Sequence, residues 1–196
     1  MKKIVQTLST AVFLFIILGI LLGGLYPLIS FGISKVITPN KSQGSLIYQG
    51  DQVIGSRLIG QNFQSAGYFH SRPSACDYNG IKSAGSNLGP TSKKLSENLE
   101  KNVQAYRKIN GVETQIPIPA DAVTSSGSGL DPHISIQNAK LQASRVGAAQ
   151  GLPLQTVIHL IDQSTEKKTW GIFGRERVNV LMLNLAIQQA STSSSQ

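Results

Sequence analysis

The chain has 196 residues, of which 40% are hydrophobic and 14% are charged, and its formal net charge is +8. Its basic residues are scattered, without the basic face and interleaved aromatics that are typical of nucleic-acid-binding proteins. Cys76 is the only cysteine, which excludes an intrachain disulfide and a CxxC zinc site. The positive charge therefore indicates solubility and attraction to a membrane surface, and we expect no nucleic-acid partner.

The chain begins with an apolar segment that predicts a transmembrane anchor over residues 1–35. Residues 4–34 carry no charge, and residues 8–29 are almost continuously apolar. A helix that crosses a bilayer core needs about 20 such residues. The segment is too long for a secretory signal, and Tyr26 and Pro27 stand where a cleavage site has small residues. We expect Pro27 to kink or end the helix.

Two features of this anchor suggest how it is used. Gly19 and Gly23 form a GxxxG pair on one helix face, which favours packing against another helix, although glycine is also simply common in membrane helices. Lys2 and Lys3 precede the apolar run and indicate a cytoplasmic N-terminus. The rest of the chain would then lie outside the cytoplasm.

Residues 36–190 predict one α+β domain, with a small β-hairpin or sheet and about four helices. A polar connector, residues 36–45, leads into a hairpin with a turn at Gly50-Asp51. The polar residues 191–196 are expected to form a disordered tail.

A loop over residues 65–94 is far longer than most connections, so we expect it to be functional or docked on another surface. The following helix is predicted to begin at Thr91 or Ser92 and to end at Gly111. Residues 114–123, TQIPIPADAV, predict an extended edge segment, since proline cannot donate a ladder hydrogen bond.

Three further helices are expected in the C-terminal half. One runs from about Ser135 to Gln150, and Pro153 suits the first turn of the next. The apolar spacing of residues 177–190, RVNVLMLNLAIQQA, favours a helix, although the alternation in VNVLMLNL leaves a strand open.

Several catalytic and transport motifs are absent from the sequence. It has no GxxxxGK[ST] loop, no GxSxG elbow, no DKTGT phosphorylation motif and no TVGYG-like filter. The three histidines lack zinc-ligand spacing. We therefore predict no catalytic residues, no metal site and no cofactor belonging to this chain alone.

The stretch VTSSGSGLDPHIS, residues 123–135, concentrates the polar groups of the chain. Ser126 or Ser128 could be combined with Asp131 and His133 into a hydrolase triad, but residues so close in sequence rarely reach that geometry. The favoured interpretation is a turn whose last residue, Ser135, caps the next helix. A phosphate bound at that helix start is physically allowed.

Taken together, the anchor and four motifs resemble the KdpC family, the C subunits of the Kdp potassium-transporting ATPases. The motifs are YFHSRPSACDYN with GSNLGPT, IPADAVTSSGSGLDPHIS, RVGAAQGL and RVNVLMLNLAI, and the resemblance extends to about residue 190. It implies a non-catalytic subunit in the bacterial inner membrane. The implied partners are a channel-like A subunit, a P-type ATPase B subunit and a small single-span F peptide.

The resemblance also implies a catalytic chaperone that raises the affinity of the B subunit for ATP, so ATP would be shared with that subunit. A domain outside the cytoplasm cannot touch cytoplasmic ATP. An outward domain would instead act at a distance, or at the potassium entrance of the A subunit. For contacts with a partner or ligand we select five residues: Arg72, Asn87, Asp131, His133 and Gln142. The main competing hypothesis is an anchored extracytoplasmic hydrolase that uses the 123–135 stretch, and a second alternative is a stand-alone anchored binding module.

Overall fold

The structure is a computed structural model that describes residues 1–194, and it divides into two compact units that meet in sequence between Leu46 and Ile47. The first unit is helical. It comprises α1 (Lys2–Ile20), a π-helical turn (Leu21–Leu25), α2 (Tyr26–Ile37) and the short α3 (Pro39–Ser42).

The helix Lys2–Ile37 is long and apolar enough to cross a membrane, which agrees with the predicted single N-terminal span. Pro27 does not end it, because α2 continues to Ile37. The wider turn before Pro27 explains why: the Tyr26 N–H donates to the Leu21 carbonyl, five residues back. A π-helical turn of this kind relaxes the crowding that a proline ring imposes on the preceding turn.

Strands β1 (Leu46–Gln49) and β2 (Gln52–Ser56) form the predicted hairpin. The turn between them is Gly50-Asp51, where Gly50 has a φ of +61°. A positive φ is the conformation that a tight hairpin turn requires, and glycine adopts it without steric cost.

Helix α4 (Lys93–Asn110) follows the long loop with the predicted boundaries. The Ser92 hydroxyl accepts a hydrogen bond from the Leu95 N–H at its start, and Gly111 is left-handed at its end. The prediction of an extended edge segment over residues 114–123 was wrong, because it contains only a 3₁₀ turn, Ala120–Ala122, and no strand. Two prolines in this segment lack the N–H that a ladder needs, so it stays outside the sheet.

The remaining elements are β3 (His133–Ile134), α5 (Ile136–Gln150), α6 (Leu154–Gln163), β4 (Thr165–Glu166), β5 (Arg177–Asn179) and α7 (Val180–Ser194). The three short strands form an antiparallel sheet in the order β3-β5-β4. Pro153 lies at the start of α6, close to its predicted place.

The last segment of the chain combines both interpretations of its pattern, since a strand, β5, is followed directly by a helix, α7. This helix includes residues 191–194, where the sequence predicted a disordered tail, and residues 195–196 lie outside the described part of the chain. The small sheet and the helices confirm the α+β class.

The core of the second unit lies where α5, α6 and α7 cover the small sheet. Its members are buried apolar side chains, including Phe69, Ile134, Val146, Val157, Ile161, Val178, Leu183 and Ile187. Each such side chain contributes roughly 1.5–3 kcal/mol by leaving water. This core fixes the positions of β3, β4 and β5, which carry His133, Glu166 and Arg177.

Candidate functional site

Asp131 and Arg72 form one end of a connected group of charged side chains on the second unit. The guanidinium Nη1 of Arg72 is 2.9 Å from Asp131 Oδ2, and both side chains are about a quarter exposed. Arg72 comes from the long loop and Asp131 from the 123–135 stretch. The fold therefore brings together two residues that the sequence selected separately.

His133 extends this pair toward β4. Its Nδ1 is 3.5 Å from Asp131 Oδ1, and its Nε2 is 3.4 Å from Glu166 Oε2. Glu166 in turn pairs with Arg57 at 2.9 Å and with Arg177 at 3.2 Å. We call these residues the charged cluster: Arg57, Arg72, Asp131, His133, Glu166 and Arg177.

The two carboxylates of the charged cluster are held in their ionised form. Burial alone would raise the pKa of Asp131, but hydrogen bonds from His133 and Arg72 outweigh burial and lower that pKa from 3.8 to about 2. Burial also opposes ionisation of Glu166, yet the hydrogen bond from Arg57 and the charges around Glu166 lower its pKa. Neither carboxyl group is therefore a proton donor at neutral pH.

The charged cluster borders an open groove of about 780 Å³. Arg72, Asp131, His133 and Arg177 line this groove together with residues from the 119–124 and 134–137 segments and with Arg175 and Glu176. These four cluster residues are consequently accessible to a partner or ligand that enters the groove.

Ser126 and Ser128 form local turn contacts, and the Ser128 backbone also holds the long loop. The Ser128 hydroxyl accepts from the Leu130 N–H, and its carbonyl accepts from the Ala84 N–H and the Ser83 hydroxyl. Ser126 is buried, and its carbonyl accepts from the Gly129 N–H. Within residues 1–194 neither hydroxyl is hydrogen-bonded to His133, so the arrangement that a hydrolase triad needs is absent there.

Gly129 shows how closely the two loops approach. Its φ is +70°, and a Cβ at this position would lie 2.5 Å from Cys76 Sγ and 2.7 Å from the Ala84 carbonyl oxygen. The Ser74 hydroxyl also donates to the Gly129 carbonyl, at 2.7 Å. The long loop is therefore docked on the 126–130 turn, as its length predicted, and only glycine fits the contact.

Hydrogen-bond donors at the start of α5 are paired with side chains of the protein itself. The predicted cap is confirmed, because the Ser135 hydroxyl accepts from the Asn138 N–H at 3.1 Å. The Asp121 carboxylate accepts from the Ser135 N–H, the Ser135 hydroxyl and the Asn138 side-chain amide. This carboxylate stands where a phosphate would bind at the helix N-terminus, so a phosphate cradle here is not supported.

Gln142 is buried, with 1% of its surface exposed, so its placement at a surface contact is corrected. Its Oε1 accepts from the His70 N–H at 2.7 Å, and its Nε2 donates to the His70 carbonyl at 3.2 Å and to Asn138 Oδ1 at 2.9 Å. The side chain thus holds the backbone at His70 as a neighbouring strand would. Both polar atoms of this amide are therefore engaged by other groups of the described fold.

Two residues that the sequence did not select complete this arrangement. Asn184 accepts from the Phe69 N–H at 2.7 Å and donates to the Phe69 carbonyl at 3.0 Å. Arg145 donates to the Ala66 and Tyr68 carbonyls and to Gln142 Oε1. We call Gln142, Arg145 and Asn184 the interior clamp, because they fix the backbone of the 66–70 segment.

The other residues selected from the sequence, Asn87, Gly19 and Gly23, are not members of the charged cluster. Asn87 is exposed with a φ of +52°, a left-handed turn conformation that asparagine tolerates. Gly19 and Gly23 leave their helix face open, since a Cβ added to either glycine would meet no atom within 4 Å. Packing of that face against another helix stays a prediction.

Comparison with known proteins gives a consistent result. Residues 8–189 match the family described as KdpC: K+-transporting ATPase, c chain. The chain belongs to the KdpC family. It is 49% identical over 177 residues to the potassium-transporting ATPase KdpC subunit of Polynucleobacter asymbioticus, which covers 89% of this chain and 93% of that protein.

More distant KdpC subunits align over similar lengths. The subunit from Myxococcus xanthus is 45% identical over 94% of this chain and 88% of its own length. The subunit from Mycobacterium bovis is 43% identical over 94% of this chain and 98% of its own length. The likeness therefore includes both the apolar helix and the α+β unit, which fits a single-pass membrane protein of this family.

Sequence reasoning missed half of the charged cluster. Arg57 and Arg177 gave no signal beyond an isolated charge, and Glu166 lies in a run, TEKK, that resembles an ordinary solvated turn. Glu166 and Arg177 are placed by strand register, since they are Cα partners across β4 and β5, whereas Arg57 follows β2 and reaches Glu166 through its side chain. Strands of two or three residues are too short to show alternation in the sequence.

Proposed function

We propose that this chain is a non-catalytic accessory subunit of an ATP-driven potassium-uptake complex, and that the charged cluster contacts a partner subunit. The observation that carries this proposal is the composition of the groove wall. Arg72, Asp131 and His133 are accessible there, yet they are paired with one another and with Glu166. Such a surface suits electrostatic recognition of a partner and lacks an activated nucleophile.

The partners that fit this proposal are the channel-like A subunit, the P-type ATPase B subunit and the small F peptide. We place the chain in the bacterial inner membrane, with the N-terminus in the cytoplasm and the α+β unit outside. Lys2 and Lys3 at the N-terminal end of the apolar helix support this orientation. The open glycine face of α1 and the π-helical turn is the surface that we assign to packing against a partner helix.

We further propose that the subunit raises the ATP affinity of the B subunit without holding ATP itself. Asp121 already occupies the start of α5, where a phosphate would otherwise bind. An outward unit would act by stabilising one state of the complex, or by shaping the potassium entrance of the A subunit. Differential binding to two states is sufficient to change the affinity of a distant site.

Purification of the tagged full chain from membranes in mild detergent tests the proposal. Two larger membrane proteins should accompany the chain, and the isolated chain should neither hydrolyse ATP nor react with a serine-directed probe. Recovery of the chain alone, or labelling of Ser126 or Ser128, would contradict the proposal.

The orientation has a separate test. Protease added to intact spheroplasts should digest the α+β unit and spare the apolar helix. Protection of the α+β unit until the membrane is permeabilised would place it in the cytoplasm. Direct contact between this unit and ATP would then be a hypothesis to test.

A further inference from the structure

The connection between β4 and β5 projects large apolar side chains into solvent. All ten residues from 167 to 176 are exposed, and the exposed fractions of Trp170, Ile172 and Phe173 are 86%, 76% and 60%. The Trp170 and Phe173 rings stack edge to face, with centroids 6.1 Å apart. We call residues 167–176 the aromatic loop. Clustered exposed apolar groups of this size indicate an interaction surface.

The backbone at the tip of the aromatic loop is closed on itself. The Thr169 and Phe173 backbones exchange both hydrogen bonds, at 2.9 and 3.0 Å, and the Gly171 N–H donates to the Lys168 carbonyl. Trp170 and Gly171 both have positive φ, which produces this tight turn. The paired backbone groups lose no hydrogen bonds to water when the tip enters a less polar medium, which lowers the cost of that transfer.

A basic collar surrounds the apolar tip. Lys167, Lys168 and Arg175 flank it, and within residues 1–194 they form no ion pair, so their charges are uncompensated. Glu176 is the only acidic residue in the aromatic loop. The surface is thus a tip of Trp, Ile and Phe with a net positive rim.

The base of the aromatic loop is firmly attached to the fold. Glu166 and Arg177, which flank it on β4 and β5, are paired across the sheet and by an ion pair at 3.2 Å. Glu166 also contacts His133 and Arg57 of the charged cluster. The apolar tip is therefore presented on a fixed support.

We propose that the aromatic loop docks on the headgroup region of an anionic lipid bilayer. Tryptophan prefers the membrane–water interface, and each basic residue near an anionic leaflet gains attraction to it. Protein interfaces, by contrast, are depleted in lysine, which makes a protein partner the less suitable occupant of this collar. The apolar helix Lys2–Ile37 would tether the chain to a bilayer, so docking on that bilayer is an intramolecular step.

This inference rests on the membrane anchoring in the proposed function, but on neither the sidedness nor the partner contact. Trp170 is the only tryptophan in the chain, so its fluorescence reports the loop tip directly. The experiment reconstitutes the full chain in phosphatidylcholine vesicles, with and without phosphatidylglycerol, and includes lipids brominated near the headgroup as quenchers.

In vesicles with phosphatidylglycerol, Trp170 emission should shift to the blue and be quenched by the brominated lipid, and added salt should reverse both changes. The double variant Lys167→Gln/Lys168→Gln should lower the ratio of docked to undocked loop by roughly fivefold for each lysine replaced. Ile172→Ser should reduce quenching further. The matched controls are Lys93→Gln/Lys94→Gln on α4 and Ile81→Ser, whose side chain is also exposed, and both should behave as wild type.

Two outcomes would overturn the inference. One is Trp170 emission that is unquenched and equal in neutral and anionic vesicles. The other is a change that occurs only when the larger subunits are added, which would assign the aromatic loop to a protein partner. Either result leaves co-purification of the subunits unaffected, so it is distinguishable from failure of the proposed function.

Discussion

The interior clamp and the charged cluster are both dense in polar groups, but they serve different ends. The clamp is directed at the protein's own backbone, and Gln142 and Asn184 each satisfy both the N–H and the C=O of one residue. The charged cluster is directed at side chains and stays partly open to the groove. Accessibility, and not the number of functional groups, separates a structural network from a candidate contact surface.

This contrast gives different expectations for substitutions in the two regions. In the interior clamp a lost side chain leaves buried backbone groups without partners, which costs stability. In the charged cluster water can replace a lost partner in part, so stability changes less and recognition changes more.

The largest loss of stability is expected for Gln142→Ala. It removes hydrogen bonds to both backbone groups of His70 and leaves a cavity beside Asn138, so the free energy of unfolding should fall by about 2–4 kcal/mol. Gln137→Ala is the matched control, because Gln137 is exposed on the same helix. This substitution should change the free energy of unfolding by less than about 0.5 kcal/mol. Urea unfolding of the full chain in detergent, followed by circular dichroism, measures both, and equal effects would refute the clamp.

Gly129→Ala should have the next largest effect, lowering the free energy of unfolding by about 2–3 kcal/mol, since a left-handed φ and contacts below 3 Å oppose a methyl group. Gly127→Ala is its control two residues earlier, where a Cβ meets no atom within 4 Å. The same unfolding experiment compares them. If the two variants were equally stable, the long loop would not be docked as described.

Arg72→Ala should cost less, about 1–2 kcal/mol in the free energy of unfolding, because Asp131 keeps its contact with His133 and is partly solvated. The fold should therefore survive this change. A loss as large as that of Gln142→Ala would show that the charged cluster is mainly a structural network.

The last comparison concerns how stability depends on pH. Folding lowers the pKa of Asp131 from 3.8 to about 2, so the unfolded state binds the proton first as the medium becomes acidic. The stabilisation is complete above pH 3.8 and is lost as the pH falls toward 2. The stability advantage of wild type over Asp131→Asn should shrink across that interval. An advantage that is independent of pH there would contradict the assigned ionisation.

Local signals made much of the fold predictable. Helix ends lie where capping chemistry requires them, at Ser92, Gly111, Ser135 and Gly151, and the Gly50 turn defined the hairpin. The β3-β5-β4 sheet was not predictable, because its strands have two or three residues and their pairing is long-range. The prolines near residue 118 were interpreted as the mark of an edge segment. In the structure they keep this part of the chain outside the sheet.

The candidate site was predictable only in part, for a related reason. Asp131, His133 and Arg72 stood out in unusual local sequences, whereas Glu166 is brought to them by strand register alone. Gln142 carried a signal that was overlooked: it shares a helix face with Ala139, Ala143 and Val146, all fully buried. Its spacing of three residues from Ala139 and four residues from Val146 places it in the core.

The central claim is that the charged cluster recognises a partner subunit, and assembly of the purified complex tests it most directly. Arg72→Ala and His133→Ala should each retain a smaller fraction of the two larger subunits, and the potassium-stimulated ATPase should fall with it. For a contact at the centre of an interface, the expected loss of affinity is roughly tenfold. The isolated variants should stay folded. Wild-type stoichiometry and wild-type potassium-stimulated ATPase in both variants would contradict the claim.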